Sequence, residues 1–74
     1  MNERINQVLG AFVRRAQTSE DREHYRAVVR LARLRWYGEA ETRLRWMERD
    51  LMDRAAMAAE CRARLIELKN EDRT

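Results

Sequence analysis

Proline is absent from the 74-residue sequence, which contains two glycines and only one each of cysteine, histidine and lysine. One cysteine excludes an internal disulfide, and with one histidine it leaves too few ligands for a structural zinc site. No apolar run approaches the roughly 18 residues that a membrane-spanning helix needs, and no signal peptide opens the chain. We therefore expect a cytoplasmic protein that does not associate with membranes.

Alanine, leucine, arginine and glutamate dominate the composition, which predicts an all-α domain. A chain this short buries only about 60% of the surface that its unfolded state exposes. Self-association or partner binding is therefore the expected source of further stability. The net charge is +3, and every basic residue except Lys69 is arginine. Arginine suits bidentate recognition of phosphate or carboxylate, but its spread along the whole chain favours codon usage in a GC-rich genome.

Two helices are predicted over residues 3–17 and 19–36. The apolar residues of the first, from Ile5 to Ala16, follow the i, i+3, i+4, i+7 spacing of one helical face. Thr18 and Asp21 have the spacing of a capping box, which predicts the start of the second helix. The second helix carries two apolar stripes, one of them including Trp36 as a core residue, and this pattern predicts a neighbour on each side.

After Gly38 the heptad spacing predicts one long third helix, 39–70, with only Arg54 interrupting its apolar seam. Its length of about 48 Å exceeds the roughly 27 Å of the second helix, so its C-terminal half has no expected neighbour within the chain. We therefore expect a single three-helix, hairpin-type bundle, completed by a two-fold homodimer through the third helix. The residues assigned to the dimer interface are Leu51, Ala55, Ala58, Cys61, Leu65, Ile66 and Leu68.

Trp46 is the first candidate binding residue. It falls on the polar side of the third helix between Arg43 and Arg49, a setting typical of protein-interaction hot spots. The alternative is that the indole covers the second helix or the dimer mate. Trp46, Arg43 and Arg49 are the predicted partner-binding residues.

The second candidate is an arginine ridge on the second helix. Such a ridge can follow the phosphates of a nucleic acid. The alternative, which the 13 acidic residues of the chain favour, is a solvated face paired with carboxylates on the third helix. The ridge residues are Arg22, Arg26, Arg30 and Arg33.

No pattern of catalytic residues is present. His24 is isolated, Cys61 occupies a seam position typical of a buried thiol, and no phosphate-binding loop, carboxylate pair or metal-ligand spacing occurs. We expect a non-enzymatic protein–protein interaction module without cofactor or metal, of the kind that small bacterial or phage accessory proteins use to inhibit or modulate a host protein. The alternative function is a nucleic-acid-binding regulator that uses the arginine ridge. A third possibility is one subunit of a larger hetero-complex.

Overall fold

The computed structural model describes residues 1–73, and this part of the chain is helical with no strand. The helices are α1 (Asn2–Arg15), α2 (Ser19–Arg33), α3 (Tyr37–Asp50) and α4 (Ala55–Arg73), and a single 3-10 turn, Met52–Arg54, precedes α4. The predicted all-α class is confirmed. Among these helices, none combines the length and apolarity that crossing a bilayer would require.

The first two helices follow the sequence pattern closely. The Thr18 hydroxyl accepts a hydrogen bond from the Asp21 backbone N–H at 3.1 Å and caps α2. α2 ends at Arg33, three residues earlier than predicted, because Arg35 takes a left-handed backbone conformation with φ 66°. The turn therefore uses Arg35 rather than Gly38. Trp36 falls outside the helix and is exposed, so its predicted place in the core is wrong.

The single long helix predicted over residues 39–70 is also wrong. The chain leaves the helix at Leu51, and Met52 adopts φ 53°. α4 then runs back along α3, as shown by bonds from Arg62 to Glu48 and from the Tyr37 hydroxyl to Asp72. The reversal turns the apolar stripe of α4 onto the core, and this burial of apolar surface favours a hairpin over an extended rod.

α4 completes one core shared by all four helices. Of the residues assigned to a dimer interface, Leu51, Ala58, Cys61, Leu65 and Leu68 are buried within the single chain, and Ala55 and Ile66 are half-buried. Within residues 1–73, no part of a helix extends beyond its neighbours as the predicted overhang did. The observation from which the homodimer was predicted is therefore wrong. The homodimer itself stays a prediction.

Arg54, which interrupts the apolar seam, holds the α3–α4 turn against the start of α2. Its Nε donates a hydrogen bond to Asp21 Oδ2 at 2.6 Å. The Asp21 carboxylate is buried, whereas the Arg54 side chain is half-exposed. A buried carboxylate requires a compensating cation or hydrogen bond, and this ion pair supplies both.

Candidate functional site

The first candidate site is a groove of about 520 Å³ between α2 and α3, which we call the tryptophan groove. The two helices run antiparallel after their short turn, so the start of α2 faces the end of α3. Residues seven apart lie on one helical face, and this spacing relates His24 to Leu31 on α2 and Glu39 to Trp46 on α3. The groove is lined by His24, Leu31, Glu39, Thr42, Arg43 and Trp46.

Trp46 lies against α2 and is still 41% exposed. Its ring centroid is 5.1 Å from that of His24, with the two planes at 46°. Arg43 Nη1 lies 3.3 Å from His24 Nδ1. The indole therefore covers α2 at one edge, as one of the two alternatives predicted, and its remaining surface faces the groove. Its role in binding a partner stays a prediction.

The structure brings together two of the three predicted partner-binding residues. Arg43 and Trp46 line the tryptophan groove, whereas Arg49 is exposed on α3 and does not line it. His24, which the sequence shows only as an isolated histidine, also lines the groove. The sequence signal for this groove is the second apolar stripe predicted on the second helix, which includes Leu31.

The second candidate site is a groove of about 460 Å³ between α1 and α2, which we call the arginine groove. Three of the four predicted ridge residues line it, and Arg14 joins them from α1. Gly10 also lines the groove, and a Cβ there would have Arg14 Nη1 as its nearest neighbour, at an ordinary contact distance of 3.7 Å. The lining residues are Asn6, Gly10, Val13, Arg14, Arg26, Val29, Arg30 and Arg33.

Arg22, the fourth ridge residue, has a local role. Its Nε donates a hydrogen bond to the Ala16 carbonyl at 3.2 Å. Ala16 follows the last helical residue of α1 and has an extended backbone. The contact therefore joins the end of α1 to the start of α2 and draws Arg22 away from the arginine groove.

The arginine groove has no acidic residue in its lining. Arg26 pairs with Glu23 on its own helix, and the Arg33 guanidinium bonds the Asn6 side-chain oxygen. Within residues 1–73, no carboxylate pairs with Arg14, Arg30 or Arg33. The predicted pairing of the ridge with the third helix is therefore wrong, because the ridge faces α1.

A third cavity, of about 460 Å³, adjoins the Asp21–Arg54 pair. Asp21 Oδ1 and the Tyr25 hydroxyl are buried there without a hydrogen-bond partner among the described residues. Burial raises the pKa of the Tyr25 hydroxyl above its ordinary value and raises the pKa of the buried Cys61 thiol to about 12. Both groups are therefore protonated at neutral pH, which makes Cys61 a poor nucleophile.

No group of three or more His, Cys, Asp or Glu residues in the described part of the chain is placed to hold a metal ion. The chain has no significant match among protein-family models, curated proteins or solved structures.

Proposed function

We propose that this chain is a non-enzymatic protein-binding module, and that its tryptophan groove accepts an amphipathic helix from another protein. The observation that supports this is the half-exposed Trp46 beside Leu31 in an open groove. Tryptophan is among the residues that most often dominate interface energies. Apolar helices docking into such grooves are a common mode of peptide recognition.

The dimensions of the groove suit a short helix. His24 and Leu31 are seven residues apart on α2, which corresponds to about 10 Å along the groove. A partner helix of two to three turns spans this length with apolar residues at i, i+4 and i+7.

The charges at the two ends of the groove favour one orientation of the partner helix. Arg43 stands beside His24 at one end of the groove and has no carboxylate partner within the described chain. Glu39 lies at the other end. A complementary helix therefore carries an acidic residue near Arg43 and a basic residue near Glu39, since opposite charges across an interface favour one register.

Such a module acts by occupying a surface on its partner. Inhibition or modulation of a host protein, by a small bacterial or phage accessory factor, is the form of action we propose. A second copy of this chain is the other occupant to be tested, since a homodimer through this groove would use the same exposed Trp46.

The test compares Trp46→Ala with Trp36→Ala. Trp36 is the matched control because it is exposed, at 53% of its surface, and does not line the groove. Each variant is used for affinity capture from a nuclease-treated bacterial lysate, and the protein captured by the wild type is then purified and its Kd measured. We expect Trp46→Ala to weaken binding by about 30-fold, the effect of a hot spot of roughly 2 kcal/mol, and Trp36→Ala to leave it within about threefold.

Equal losses in the two variants, or no loss in either, would contradict the proposal. Circular dichroism of each variant checks that the fold is retained. Sedimentation velocity of the protein alone tests whether a second copy occupies the groove. A wild-type dimer that Trp46→Ala dissociates would show that the occupant is a second subunit and not another protein.

A further inference from the structure

The arginine groove is a second binding surface, on another side of α2. Successive residues of an α-helix are 100° apart, so Arg26 and Leu31 point about 140° away from each other around the axis. The arginine groove and the tryptophan groove therefore both lie along α2 but have no lining residue in common. A ligand in one leaves the other open.

Apart from Arg26, which pairs with Glu23, the arginines of this groove differ from most others in the described part of the chain in having no carboxylate to neutralise them. Elsewhere, arginines pair with acidic residues on neighbouring helices, as Arg4 does with Glu71 and Arg15 with Glu60. Arg14 on α1 and Arg30 and Arg33 on α2 line the arginine groove without such a partner among residues 1–73. Bringing like charges together is unfavourable unless counterions or a ligand offset the repulsion.

The spacing of these side chains suits a linear polyanion. Arg26, Arg30 and Arg33 occupy successive turns of α2, with rises of about 6 Å and 4.5 Å along the axis, and Arg14 flanks them from α1. A guanidinium donates two parallel hydrogen bonds to one phosphate. Duplex DNA carries one negative charge per roughly 1.7 Å of its axis, which supplies phosphates at this density.

We propose that the arginine groove binds the phosphate backbone of a nucleic-acid duplex without reading its sequence. No aromatic side chain lines the groove, so it lacks the stacking platform typical of single-strand binders. Contacts to phosphate fix position and orientation but carry no base specificity. With the tryptophan groove occupied, the chain would hold a protein partner beside a duplex.

The test uses fluorescence anisotropy with a labelled 20-base-pair DNA duplex at several KCl concentrations. Four phosphate contacts predict a slope of log affinity against log salt of about −3.6. Arg14→Gln/Arg30→Gln removes the two groove arginines that have no hydrogen bond or ion pair to another described residue, and we expect it to reduce the slope to about −1.8 and to weaken binding by more than tenfold at low salt.

The control is Arg45→Gln/Arg64→Gln, which removes the same charge from two exposed arginines that pair with Glu41 and Glu67 on α3 and α4. We expect it to stay within threefold of the wild type. Equal losses in both double variants would show that binding depends only on net charge and would overturn the proposal, as would the absence of wild-type binding at 50 mM KCl.

Two further probes distinguish the ligand and the site. The first is a polyglutamate peptide. If it binds more tightly than the duplex, with the same dependence on Arg14 and Arg30, the ligand of the groove is an acidic protein and not a nucleic acid. Trp46→Ala is expected to bind the duplex with unchanged affinity. This separates failure at the arginine groove from failure at the tryptophan groove.

Discussion

Replacing Met52 with glycine tests the reversal between α3 and α4, on which the core depends. Met52 has φ 53° and is 84% exposed, so its side chain contributes little packing. An L-residue in this left-handed conformation costs roughly 1–2 kcal/mol, whereas glycine adopts it freely. Glycine also gives the unfolded chain more conformational freedom, which lowers the free energy of unfolding by about 0.5–1 kcal/mol.

The two effects combine to a net stabilisation of about 0.5–1 kcal/mol for Met52→Gly. At about 4–8 °C per kcal/mol for a chain of this size, the Tm rises by roughly 2–8 °C. If residues 39–70 formed one continuous helix, glycine at this exposed interior position would instead cost about 1 kcal/mol. The two architectures therefore predict opposite signs.

Thermal and urea unfolding, followed by circular dichroism, measure the effect. Met52→Ala is one control, because alanine also lacks the long side chain but is as strained as methionine at positive φ. We expect it to change the free energy of unfolding by no more than about 0.5 kcal/mol. Ala63→Gly is the second, at an exposed position inside α4, where we expect a loss of about 1 kcal/mol. A Met52→Gly variant that is destabilised as much as Ala63→Gly would refute the reversal.

Two further predictions concern the core and its ion pair. Arg54→Ala should lower the free energy of unfolding by about 2 kcal/mol, because it leaves the Asp21 carboxylate, which is 4% exposed, without its cation. The loss should be smaller than for a fully buried ion pair, because Arg54 is itself half-exposed. Arg64→Ala is the control, because Arg64 is equally exposed and its partner Glu67 is 57% exposed; it should cost under about 0.5 kcal/mol. Equal losses of unfolding free energy in the two variants, measured by urea unfolding, would contradict this reasoning. The raised pKa of Cys61, about 12 against an ordinary 9.0, means that the unfolded chain loses the thiol proton first as pH rises. Stability is then complete below pH 9 and falls above it, by up to about 1.4 kcal/mol per pH unit. Urea unfolding between pH 8 and 10 should show this decline in the wild type and a smaller one in Cys61→Ala, and identical slopes would show that the thiol does not contribute.

The sequence predicts the first two helices well because their apolar spacing and the Thr18 cap are local signals. The break at Met52 has no such signal, since neither proline nor glycine is present there. A helical hairpin and one long helix have nearly the same apolar spacing when both halves face a single core. The one trace of the reversal was Arg54, the polar residue in the seam, whose partner Asp21 lies 33 positions away.

The two grooves could be predicted only in part for a related reason. Arg43 and Trp46 share a helix and are close by spacing alone, as are Arg26 and Arg30. His24 and Leu31 join the first pair only once α3 packs against α2. Arg14 meets the ridge only through the pairing of α1 with α2. Local periodicity gives the face of each helix, and the tertiary arrangement decides which faces meet.

The placement of α4 has a consequence for how the protein is made. The ribosome produces α1, α2 and α3 first, but the core that contains Leu44 and Met47 is incomplete until Cys61, Leu65 and Leu68 of α4 have been added. A nascent chain halted near the exposed Met52–Arg54 turn, or a finished one cut there by a protease, would therefore present an apolar surface of the kind that chaperones and degradation machinery recognise. Only chains that include α4 would then accumulate in the cell as a folded domain.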